Sequence, residues 1–463
     1  MKYRTESDTM GEVKIPAEMF YGASTQRAVD NFPVSGRRFP RPFLQALGLI
    51  KGAAAEANAS LGKLDKKIAH AISKVAEEVA CGKYDFHFPL DIFQTGSGTS
   101  TNMNANEVIS NLANVSLGGK IGTKSPVHPN DHVNMGQSSN DVIPTAIHVA
   151  AAIHCKNLLL PELKRLEKSL SAKEKEFAKI VKIGRTHLQD ATPVTLGQEF
   201  SGYASQIEHG CRRLEKALED IYELPIGGTA VGTGINTHPQ FSKKVCDLLK
   251  KNTDIPFKEA ENHFEAQSAK DACVSLSGAL KTLAVSLMKI SNDLRWLASG
   301  PRCGIGEIIL PSLQPGSSIM PGKINPVIPE MMTQICAQVI GNDTVITVAG
   351  QSGNFELNVM MPPIASNLIE SIDILGNGVR LLNEKCISDI KVNEKRAKEL
   401  VELSLAMVTS LVPVIGYDKA AKLAKDAYSK GKTIRELLKE SRLLSNEEID
   451  RILDPQGMLK PKS

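Results

Sequence analysis

Two hydroxyls, one ammonium and one carboxamide fall within nine residues of the stretch Gly316-Ser317-Ser318-Ile319-Met320-Pro321-Gly322-Lys323-Ile324-Asn325-Pro326. Two glycines and two prolines keep it out of regular structure. Such a loop can bind an anion and move a proton, although a polar turn between helices has the same composition. It is not a phosphate loop. Five residues separate Gly316 from Gly322 where four are needed, and Ile324 stands where a Mg²⁺-binding hydroxyl should be.

Three further polar loops share this character, at 96–102, 137–141 and 184–190. Each places Ser, Thr or Asn beside a helix start, where backbone N–H groups can cradle a carboxylate or phosphate. Ser138 and Asn140 also suit plain helix capping, and capping and binding are compatible. Lys323 adds a full positive charge, with no Arg cluster and no metal-ligand spacing, so a compact dicarboxylate fits better than a nucleotide. The glycine-rich run 227–234 lacks a preceding strand pattern and is not read as a dinucleotide site.

Helices must hold these loops. Of the 463 residues 42% are apolar but only 5% aromatic, so Ala, Leu, Ile and Val have to fill the core. Cys273, Leu276, Leu280, Leu283, Leu287, Ile290, Leu294 and Leu297 form an unbroken heptad seam. It predicts one helix over about 263–299, roughly 55 Å long, packed on other long helices of its own chain or another. Helical patterns also cover about 42–82, 141–177, 195–224, 329–349 and 363–384. An extended arm is expected over 1–40 and a loop over 184–190. The expected fold is all-α: a central bundle of long helices (138–392) between smaller, mainly helical units at 1–137 and 393–463.

The net charge of +4 is spread without a basic patch, which argues against nucleic acid and membrane partners. Eight scattered cysteines without a CxxC suit free thiols in a reducing cytosol. The N-terminus reads as neither signal nor transit peptide, and no run of 18 apolar residues occurs.

GSSIMPGKINP at 316–326 resembles the signature of the fumarase/aspartase superfamily. The likeness extends in order through RTESDTMGEV (4–13), QTGSGTSTNMNANEV (94–108), HPNDHVNMGQSSND (128–141), GRTHLQDATPVTLGQ (184–198) and GYDKAAKLAKDA (416–427). Within it the chain is most similar to the class II, metal-independent fumarases, because His187 stands where aspartate ammonia-lyases usually carry Gln.

The resemblance implies reversible hydration of fumarate to L-malate through a dianionic aci-carboxylate, without a cofactor or metal. Ser317 matches the proposed general base, and Lys323 and Asn325 match the groups that stabilise the intermediate. His187 matches the residue that handles water or the leaving hydroxyl, with Glu330 as its charge partner. Ser97, Gly98, Thr99, Ser138, Ser139, Asn140, Thr186 and Ser318 match substrate-binding positions. His128, Asn130 and Asp131 match a second anion site, although Ser125 and Lys124 replace the basic residue usual just before it. The family is homotetrameric, with each active site built from three chains, and a cytoplasmic location is expected. The alternatives are an aspartate ammonia-lyase, which would also use Ser317, and a non-catalytic helical scaffold or crystallin-like remnant, against which the intact Ser317, Lys323, Asn325 and His187 count.

Overall fold

The computed structural model describes residues 2–461. Met1, Lys462 and Ser463, at the outer ends of the expected terminal units, lie outside the described residues. The chain is mainly helical, as expected. Its first residues form a hairpin, β1 (Tyr3–Asp8) and β2 (Gly11–Pro16), followed by α1 (Ala23–Asn31), where only an extended arm is expected. Helices α2 (Arg41–Ser60), α3 (Lys66–Ala80), α4 (Thr99–Ser116), α5 (Ser139–His154) and α6 (Leu160–Glu176) follow. Helices α5 and α6 are joined by a π turn, Cys155–Leu159, just before Pro161, which cannot donate to the helical ladder.

Strands β3 (Val181–Thr186) and β4 (Gln189–Thr195) then pair antiparallel. The long helices are α7 (Leu196–Ile221), α8 (Phe241–Thr253), the short α9 (His263–Ser268), α10 (Asp271–Leu297), α11 (Val327–Gly350) and α12 (Met361–Lys385). Helix α13 (Glu394–Leu403) opens a run of short helices ending at Met458.

The helix expected over 263–299 is broken. Ala269 is extended at ψ 156°, although neither Gly nor Pro is present. The Lys270 ammonium turns back and donates to the carbonyls of Ala266, Gln267 and Ala269 at 3.0, 2.8 and 2.6 Å. A cation that satisfies the last carbonyls of α9 ends that helix. Helix α10 has 27 residues and is therefore about 40 Å long. All eight seam residues, Cys273 to Leu297, are no more than 4% exposed within the single chain. The seam is thus closed without a second copy.

The described residues form two compact units, one of 2–161, 210–284 and 335–377, the other of 162–209, 285–334 and 378–461. In the first, α2 packs on α3, α5 and α8. Gly48 makes the α2–α3 approach possible: a Cβ there would lie 2.6 Å from both Ala76 O and Ala80 N. Helix α3 starts on Asp65, whose carboxylate accepts from Lys67 N and Ile68 N at 2.9 and 3.1 Å. In the second, Ile183 of the hairpin shares a buried apolar cluster with Val401, Leu411, Leu438 and Ile449. That cluster anchors β3 and β4 to the C-terminal helices.

Two stretches are apolar and long enough to cross a bilayer by composition, 139–176 and 271–297, at mean hydropathies of 1.3 and 1.4. The most apolar window of the first is 78% buried and reads as core; that of the second is only 44% buried.

Candidate active site

In the first unit, a cavity of about 650 Å³ is lined by Thr99, Asn102 and Asn106 of α4, by Asn130 and Asp131, by Asn134 to Ser139, and by Thr229, Ala230 and Ile235. Thr99 is the first residue of α4, and its N-cap Gly98 is left-handed at φ 69°. A Cβ on Gly98 would also press within 2.9 Å of Ile143 Cγ2, and one on Gly96 would lie 1.9 Å from the Val359 carbonyl oxygen. These glycines set the entry into α4. Ser97 Oγ and Thr99 Oγ1 are 2.7 Å apart, so the two hydroxyls are held as a pair.

Ser138 caps α5. Its hydroxyl accepts from Asn140 N at 3.2 Å, while Asp141 accepts from Ser138 N at 2.9 Å in a capping box. The other Asp141 oxygen accepts from Gly227 N and Thr229 N at 3.0 and 2.9 Å. One buried carboxylate therefore fixes two walls of the cavity, and burial raises its pKa against the pull of those N–H groups. Asn140 Nδ2 donates to Ala230 O at 2.8 Å. Of the expected substrate-binding positions, Thr99, Ser138 and Ser139 line the cavity, while Ser97, Gly98 and Asn140 do not line it and adjoin it through the Ser97–Thr99 hydroxyl pair, the N-cap of α4 and the Asn140–Ala230 bond.

Asn130 and Asp131 line the same cavity. They lie on the turn Pro129–Val133, which His128 caps. His128 Nδ1 accepts from Asn130 N and Asp131 N at 3.2 and 3.1 Å, and the Asp131 carboxylate lies 3.3 Å from the same nitrogen. Lys124 donates to Ser7 O at 2.9 Å.

The signature loop lies in the second unit. Its ends are tied: Gly316 N donates to Lys323 O at 2.8 Å, and Asn325 Nδ2 donates to Gly316 O at 2.7 Å. A Cβ on Gly316 would lie 2.6 Å from that Lys323 oxygen, which is why glycine stands there. Gly322 turns the far side at φ 80°. Inside this ring Ser317 Oγ accepts two backbone N–H groups, from Ile319 at 3.2 Å and Met320 at 3.0 Å. Two aligned donors favour negative charge on that oxygen. Ser318 and Lys323 are exposed, and Lys323 makes no ion pair among the described residues.

Residues 184–190 are not a loop. Thr186 pairs with Gln189, and His187 and Leu188 form the two-residue tip of the hairpin at φ 55° and 58°. Asn and Gly usually fill such positive-φ positions, so the turn presents an exposed imidazole at a cost of about 1–3 kcal/mol per strained residue. The hairpin is braced along β3, near the tip by Arg185 and near the base by Lys182. Arg185 binds Glu307 through two N–H groups at 2.9 and 3.3 Å, and Lys182 Nζ lies 3.4 Å from the same buried carboxylate. Glu330 sits in the first turn of α11. It forms no ion pair with His187 among the described residues of one chain.

Asn106 and Thr229 are cavity residues that reading the sequence for chemistry does not pick out, and Asn102 falls within the polar loop 96–102 without being matched to a site position. The signal for Asn102 and Asn106 is spacing: Thr99, Asn102, Met103 and Asn106 stand at i, i+3, i+4 and i+7 on one face of α4.

The sequence matches the family described as Lyase over residues 11–341 and the one described as Fumarase C C-terminus over 407–460. It is 54% identical over 462 residues to the class II fumarate hydratase of Neisseria meningitidis serogroup A, covering 100% of both chains. It is 54% identical to the mitochondrial fumarate hydratase of Homo sapiens, over 99% of this chain and 90% of the relative. The crystal structure of recombinant class II fumarase from Schistosoma mansoni is similar at a TM-score of 0.96, with 42% identity and 100% of both chains covered.

Proposed function

The chain belongs to the class II fumarate hydratases, and from that premise we infer that it interconverts fumarate and L-malate, with Ser317 taking the proton. The carrying observation is the Ser317 oxygen held by two backbone N–H groups. In the malate direction Ser317 removes a proton from the carbon beside one carboxylate. The electron pair moves into that carboxylate to give the aci-carboxylate dianion. Lys323 and the amide of Asn325 bind it, each donor contributing about 3 kcal/mol in comparable oxyanion sites. The hydroxyl on the neighbouring carbon then leaves as water, protonated by His187 with Glu330 as its charge partner. Ser97, Gly98, Thr99, Ser138, Ser139, Asn140, Thr186 and Ser318 bind the carboxylates. His128, Asn130 and Asp131 form a second anion site at the mouth.

We read the working form as a homotetramer whose sites each draw loops from three chains. A methyl group added to Gly278 of α10 or to Gly341 of α11 would meet nothing within 4 Å. Helix-interior glycine costs about 1 kcal/mol relative to alanine, so close approach of another copy gives these positions a use. On α11, Ala337, Gln338, Gly341, Thr344, Val345 and Val348 form an exposed face without charge. The relatives include bacterial and mitochondrial proteins. Eight free cysteines, six of them buried, support a reducing, cytoplasmic setting for this chain.

Hydration in deuterium oxide tests the reaction. Fumarate is expected to give malate with one deuterium at C3 in a single diastereomer, because separate fixed groups deliver the proton and the hydroxyl. Label in both diastereomers, or none at C3, would contradict it.

A further inference from the structure

Lysine is rarely buried in full without a counter-ion. Lys51 on α2 is 0% exposed and forms no ion pair among the described residues. Its ammonium donates to Asn134 Oδ1 at 3.0 Å and Gln137 Oε1 at 2.9 Å, and both amides line the cavity. Asn102 Nδ2 donates to the same Asn134 oxygen at 3.2 Å and to Ser139 Oγ at 3.2 Å, which extends the network to the cavity wall. The charge that opposes Lys51 is that of Asp141, whose oxygens are taken up by three backbone N–H groups. The cation therefore stands one hydrogen bond behind the wall, with its counter-charge already engaged.

We propose that Lys51 is a positioning residue for the substrate dianion, holding the Asn134 and Gln137 amides and giving the cavity its positive potential from beneath. This rests on reading the cavity as part of the dicarboxylate site. Lys51 and Asn102 both donate to the Asn134 oxygen and Lys51 donates to that of Gln137, so the ammonium holds both amide oxygens toward itself. Burial lowers the Lys51 pKa to about 7 against the pull of Asp141. A negative ligand nearby favours its charged form.

The test compares Lys51→Met and Lys51→Gln with the wild-type full chain. Succinate and butyrate serve as dianionic and monoanionic competitive inhibitors, and thermal unfolding monitors the fold. In both variants KM is expected to rise about tenfold with kcat within about threefold. The succinate inhibition constant should rise about tenfold and that of butyrate only about threefold, because the attraction scales with ligand charge. An unchanged succinate constant, or equal rises for both inhibitors, in a variant that unfolds at the wild-type temperature overturns the proposal. Failure of both variants to fold makes Lys51 structural and overturns it too. Absence of malate turnover in the wild-type protein overturns the functional reading itself, and is told apart by preceding any substitution.

Discussion

Ser317→Ala is expected to lower kcat for malate by about 10²–10⁴-fold, the range for loss of a positioned general base, while KM changes only a few-fold. The change removes one oxygen from a half-buried loop position, and the N–H groups of Ile319 and Met320 that it frees lie on an exposed segment. The thermal midpoint should therefore stay at its wild-type value. A serine hydroxyl is a weak base at its ordinary pKa. On the proposed mechanism the two N–H groups at 3.2 and 3.0 Å, with Lys323, which makes no ion pair among the described residues, on the same ring, would stabilise the serine oxyanion. Turnover within about threefold of wild type would show that Ser317 only binds substrate.

The second large effect is a gain. His187→Asn is expected to lower turnover as far as Ser317→Ala does, and Asn tolerates the positive φ of the hairpin tip. When the two impaired proteins are dissociated together and reassembled at equal concentration, activity should return to about a quarter of the wild-type level. A site that draws Ser317 and His187 from different chains has about one chance in four of receiving both intact. Mixed oligomers confirmed by mass with no recovered activity would place both residues of a site on one chain.

Much of the fold and site is readable in the sequence, and the exceptions have physical causes. Ser138 and Asp141 announce α5 because a capping box is a local signal. The long helices show through their apolar periodicity, and the seam of α10 is buried as its spacing requires. The β3–β4 hairpin is hidden because His187 and Leu188 occupy a turn that sequence rules reserve for Asn and Gly. The break at Ala269–Lys270 is hidden because both are good helix formers; it arises when Lys270 folds back on the α9 carbonyls. Helix α8 is masked by the glycine-rich segment before it. Lys51 reads as a surface residue in an alanine-rich helix, and only packing against the 134–137 turn reveals it as interior. The signature loop is legible as chemistry, but its tied ring, closed by Gly316 and Asn325, is not.

Ultraviolet absorbance of the fumarate double bond tests the central claim most directly, with the purified protein given L-malate in one cuvette and L-aspartate in another. The account predicts that absorbance grows with malate and stays flat with aspartate. Fumarate formed from aspartate alone would contradict it.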